Sequence, residues 1–168
     1  MLFYYLSSIC KSIKVSRARS LFNTKNLSRK KRNALLKKSG VVLDGEITIV
    51  APFFYEFGKI TVGDNAYINS GCVFLDNTTI SIGADSLIGP HVTLSTVSHP
   101  ISPALRNSDV ITSPIKIGCN VWLGAGVVVL PGITIGDNSI IAANSVVTSN
   151  VPENTLFAGA PAIFKRNI

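Results

Sequence analysis

The chain has 168 residues, enough for one domain with a sizeable core and too few for a second catalytic domain beside it. Its three cysteines, Cys10, Cys72 and Cys119, show no CxxC spacing and meet no matching histidine pair, which excludes a disulfide framework and a zinc site and fits a reducing compartment. The net charge of +7 is unevenly spread: residues 1–40 hold eleven Lys or Arg and no acid, leaving five basic and nine acidic side chains for the rest.

The opening MLFYYLSSI is apolar, but its positive charges follow it and no small-residue cleavage site is present, unlike a secretory leader. No apolar run approaches the ~18 residues of a spanning helix, so a soluble, cytoplasmic chain is expected. Leu2, Leu6, Ile9 and Ile13 fall on one face of a predicted helix, with Lys11, Lys14, Arg17 and Arg19 after them. A second helix is predicted near Ser28 to Lys38, with Ser28 as N-cap and Ala34, Leu35 and Leu36 as its apolar strip. Residues 1–40 are expected to cap the domain that follows, and peripheral contact with an anionic membrane surface is the alternative use of their charge. Nucleic acid is not an expected partner, because the body is acidic and carries no reader motif.

From Val62 onward aliphatic or aromatic anchors recur in steps of six: Val62, Ile68, Phe74; Ile82, Ile88, Leu94; and Ile117, Leu123, Val129, Ile135, Ile141, Val147. Four residues after each anchor stands a small or β-branched side chain, and Gly follows the anchor at Gly63, Gly83, Gly89, Gly118, Gly124 and Gly136. Such a period predicts short strands stacked coil upon coil around an aliphatic column, an all-β parallel β-helix over residues 41–168. The rhythm breaks twice. The step from Phe74 to Ile82 carries two extra residues, and the gap from Leu94 to Ile117 predicts an excursion loop over residues 100–114 that begins at His99-Pro100.

The segments from Tyr67 to Asp76, Ile88-Gly-Pro90, Thr96-Val-Ser-His-Pro-Ile101, Asn120-Val-Trp-Leu-Gly124 and Val129-Leu-Pro-Gly132 resemble the sugar O-acetyltransferase branch of the hexapeptide-repeat acyltransferases. That resemblance implies a left-handed coil, a homotrimer with sites between subunits, acetyl-CoA as donor, no metal, and direct transfer without an acyl-enzyme. It places the catalytic base on His99, and imidazole suits the task because it exchanges a proton near neutrality. It assigns Asn69 to the reacting groups and Tyr67, Asp76, Asn77 and Glu56 to the acceptor. Trp122, Gly124, Ala125, Ala143, Thr148, Lys165 and Arg166 fall to CoA, with the backbone at Gly124 and Ala125 as oxyanion donor. Some relatives carry a second acid at Asn77, a serine at Ala125 and an arginine at Ile163. His91, outward on an unbroken repeat, is read as a surface residue.

The expected activity is acetylation of a carbohydrate hydroxyl in surface polysaccharide biosynthesis. An antibiotic hydroxyl or an amino sugar is the alternative acceptor, and a β-helix serving only as an assembly scaffold is the non-catalytic alternative.

Overall fold

The computed structural model describes residues 11–168; the predicted face of Leu2, Leu6 and Ile9 lies outside them. Two helices, α1 (Val15–Thr24) and α2 (Arg29–Lys38), precede a parallel solenoid of about six turns. Three parallel sheets form its faces. The first runs from Val42–Leu43 to Thr134–Ile135, the second from Thr48–Ile49 to Thr155–Ala158, and the third from Phe53–Tyr55 to Val146–Val147. An antiparallel strand, Ile163–Asn167, closes the edge of the second sheet.

All twelve anchors predicted from the six-residue rhythm are buried. Register follows from them: Ile82 pairs with Ile117, Ile88 with Leu123 and Leu94 with Val129, so identical positions stack from coil to coil. The expectation for the small positions fails at the two interruptions. Thr78 is only half-buried and Ser98 is exposed, while Ile80 and Ile115 take the inward places two residues before the next anchor. The inward pair is thus fixed by the anchor that follows it, and extra residues inserted before that anchor shift the count. The solenoid also begins earlier than the regular rhythm, since Val41, Leu43, Ile47, Ile49, Phe53 and Tyr55 already fill the first coil.

The post-anchor glycines serve coil stacking more than a bend. A Cβ on Gly83 would lie 2.5 Å from Gly118 carbonyl atoms, and one on Gly136 would lie 2.4 Å from Glu153 N. The left-handed turn positions are instead held mostly by Asn and Asp: Asn65, Asp85, Asn120, Asn138, Asn144 and Asn154 have φ between 52° and 60°, a conformation these residues tolerate.

Helix α1 was not anticipated; its signal is the spacing of Val15, Ala18, Leu21 and Phe22. It seals the first coil. Asn23 donates to Phe53 O at 3.0 Å and accepts from Phe53 N at 2.9 Å, and on α2 Asn33 donates to Ile47 O at 2.9 Å. These amides satisfy backbone groups that an open sheet edge would expose. Beneath them Phe22, Phe53, Tyr55 and Phe74 make an aromatic cluster, with centroids 5.1–6.2 Å apart. On α2, Leu35 and Leu36 are buried but Ala34 is exposed. Ser28 occupies the N-cap position without a side-chain capping bond.

Candidate active site

Two corners of the prism concentrate the residues of interest. The corner after the second sheet holds Asn69, Gly89, Pro90, Gly124, Ala125, Ala142 and Ala143; the corner after the third holds Glu56, Asp76, Asn77 and His99.

The first corner borders an apolar groove of about 620 Å³. Along its floor the outward side chains of the second sheet stand in register: Tyr67 beside Leu87, Leu87 beside Trp122, Trp122 beside Ile140 and Ile140 beside Leu156. Trp122 is half exposed, and a row of this length with small residues at its rim suits a slender, largely apolar chain. Asn69 sits at the rim; its amide oxygen accepts from Ser70 N at 2.8 Å, which leaves the amide nitrogen as a donor. The expected oxyanion pair reduces to one member. Gly124 N donates to Ile141 O at 2.8 Å and is spent on the coil, whereas Ala125 N makes no hydrogen bond among the described residues.

At the second corner the excursion is a hairpin. Val97–Ser98 pairs antiparallel with Ile111–Thr112, so the loop stands on a short ladder that period counting did not reveal. His99 is exposed just past this stem, and its Nδ1 lies 3.0 Å from Arg106 O. With the Nδ1 proton given to that carbonyl, Nε2 carries the lone pair. Arg106 fastens the loop by donating to Ile101 O at 2.9 Å.

Asp76 does not reach solvent as an acceptor-binding carboxylate would. It is fully buried, and it accepts from Glu56 N at 2.6 Å, Lys59 N at 2.7 Å and Phe57 N at 3.2 Å. The carboxylate therefore shapes the loop that carries Glu56. Two acceptor groups at this corner remain unengaged among the described residues: the Glu56 carboxylate makes no hydrogen bond, and the buried Oδ1 of Asn77 has no partner. The partly exposed Glu56 carboxylate suits a hydroxyl donor.

Other expected residues are redistributed. Tyr67, expected with the acceptor, stands in the groove. Thr148, expected with CoA, is exposed beyond Val146–Val147, at the same corner as His99. Lys165 and Arg166 are exposed on the last strand, where Arg166 lies beside Leu156 at the far end of the groove. His91 is exposed at a turn with φ 59°. Among the described residues no cysteine lines the groove; the buried Cys72 thiol is pushed up to about 11 by desolvation, which removes it as a thiolate nucleophile. Among the described residues no cluster of His, Cys, Asp and Glu could hold a metal ion.

In one chain His99 is not among the residues lining the groove that Asn69 and Ala125 border. The two half-sites lie on different corners.

Residues 114–149 match the bacterial transferase hexapeptide family (six repeats). The chain is 41% identical to the galactoside O-acetyltransferase of Escherichia coli over 140 residues, 82% of this chain and 69% of that enzyme. Among solved structures it is similar to a hexapeptide-repeat acetyltransferase of Vibrio cholerae complexed with acetyl coenzyme A (TM-score 0.86, 38% identity, 90% of this chain and 84% of that one). A maltose O-acetyltransferase of Clostridium difficile is equally similar (TM-score 0.86, 40% identity, 91% of this chain and 83% of that one).

Proposed function

The chain belongs to the hexapeptide-repeat acyltransferases, and from that membership we propose that it moves the acetyl group of acetyl-CoA to a carbohydrate hydroxyl, with His99 as general base. The observation that carries the reading is the histidine itself: Nδ1 is held by Arg106 O, which leaves Nε2 free to take a proton at the corner where Glu56 offers an unengaged carboxylate.

The chemistry follows from these groups. Nε2 removes the hydroxyl proton as the oxygen attacks the thioester carbonyl. The tetrahedral oxyanion is met by Ala125 N–H, with the Asn69 amide beside it. Its collapse breaks the C–S bond, and the imidazolium returns the proton to the departing thiolate. Pantetheine lies along the Tyr67–Leu156 row, and Arg166 and Lys165 at its far end meet phosphate oxygens. Ile163 stands where some relatives carry an arginine, so a weaker grip on the 3′-phosphate belongs to the proposal.

The separation of the half-sites supports an oligomer with cyclic symmetry, for which a homotrimer is the proposed form. The corner bearing His99, Asn77 and Thr148 from one chain meets the groove of the next. Burying the exposed Leu105, Val110 and Trp122 at such an interface would help hold it together. Use in surface polysaccharide assembly, on the cytoplasmic side where acetyl-CoA is made, completes the proposal.

Calorimetric titration tests the donor half. Acetyl-CoA is expected to saturate at about one per chain, and an oligomeric sample that binds none contradicts the assignment.

A further inference from the structure

The charge of the N-terminal helices is not used by the chemistry above. Helices α1 and α2 bury Ala18, Leu21, Phe22, Leu35 and Leu36, of which Phe22 and Leu36 join the core of the solenoid, and leave Lys14, Lys25, Lys30 and Lys37 exposed on the end of the prism. No acid stands in residues 1–40, and Glu46 of the first coil is occupied by Arg29. The result is a basic plate on an otherwise acidic solenoid.

The plate has a fixed relation to the proposed site. The acceptor corner starts at Glu56 in the first coil, continues through Asn77 in the second and reaches His99 on leaving the third. At the ~4.8 Å spacing of stacked strands, His99 stands only about 10 Å above the capped coil. The donor groove spans the coils from Tyr67 in the second to Leu156 in the sixth, so most of it lies beyond the level of His99, away from the capped end. The acceptor residues thus lie nearer the capped end than most of the groove does. In any cyclic assembly with parallel axes, every plate faces the same side.

We infer that the α1–α2 plate docks on an anionic phospholipid bilayer, and that the acceptor is a saccharide carried on a lipid in that bilayer and delivered to the His99 corner from the capped end. The second half rests on the function proposed above. Lipid is favoured over other polyanions by the sequence preceding Lys11, MLFYYLSSIC, in which eight of ten residues are apolar; binding to a bilayer surface grows with both apolar area and attraction to anionic lipid, and no other polyanion rewards the apolar part. Ile13, whose N–H donates to Lys38 O at 3.0 Å, is itself fastened to the plate.

The full-length protein should sediment with phosphatidylcholine vesicles that contain phosphatidylglycerol and not with phosphatidylcholine alone. Combining Lys14→Glu, Lys25→Glu, Lys30→Glu and Lys37→Glu should weaken that binding about tenfold or more, while Lys116→Glu, a charge reversal on the solenoid, leaves it unchanged. Acetylation of a soluble galactoside should be equal in all three proteins. Acetylation of a lipid-anchored galactoside in the anionic vesicles should fall only in the fourfold variant. Equal sedimentation with both vesicle types, a fourfold variant that binds as the parent does, or capture by inorganic polyphosphate with no vesicle binding overturns docking. Vesicle binding without any acetyl transfer to soluble galactoside leaves docking in place and refutes the catalytic reading instead.

Discussion

Replacing His99 by alanine is expected to lower kcat by about 10² to 10⁴, the usual contribution of one positioned general base, while acetyl-CoA affinity changes by less than about twofold. The two quantities separate because His99 projects from the hairpin stem and is absent from the residues lining the groove. Removing the imidazole takes away the proton acceptor without disturbing Trp122, Ala125 or Ala143. It also leaves the fold untouched, since the side chain is exposed and its one bond is to a carbonyl of its own loop. Stopped-assay kinetics with calorimetry on the same sample check both halves. Unchanged turnover removes His99 from the mechanism.

Asp76→Ala should lose about 3 kcal/mol or more of stability, because three backbone donors of the 56–59 loop then lack their charged acceptor. Removing a fully buried partner is costly where removing a surface carboxylate is not. The same change should raise the KM for the acceptor more than that for acetyl-CoA, since the freed loop carries Glu56 and lies on the corner opposite the groove. Denaturant midpoints and the two KM values measure this. An unfolding free energy within about 0.5 kcal/mol of the parent would show that solvent satisfies those donors and that Asp76 is free to bind substrate after all.

What the sequence made legible follows from what is periodic. Aliphatic anchors six residues apart report inward faces directly, so the column from Val62 to Val147 was readable down to its register, and the gap after Leu94 announced the excursion. Features set by contacts distant in sequence were not readable. Asp76 looks like a turn carboxylate until the preceding coil brings the Glu56, Phe57 and Lys59 amides onto it. Gly124 looks like an oxyanion donor until the next coil supplies Ile141 O. Helix α1 was obscured because its apolar residues are few and interleaved with charge, and its best evidence, Asn23 pairing with Phe53 as a strand would, is visible only with the first coil in place. The separation of Asn69 and His99 is likewise a property of the prism: thirty residues apart in the chain, they lie on different corners.

That separation predicts complementation between chains. His99→Ala and Asn69→Ala proteins, each nearly inactive alone, should regain activity when unfolded together and reassembled. Random mixing of two chain types places an intact His99 beside an intact groove at about one quarter of the interfaces, so about a quarter of the parent activity is expected. Mixed oligomers that form in full yield and stay inactive would mean that His99 and Asn69 act within one chain or not in one site at all.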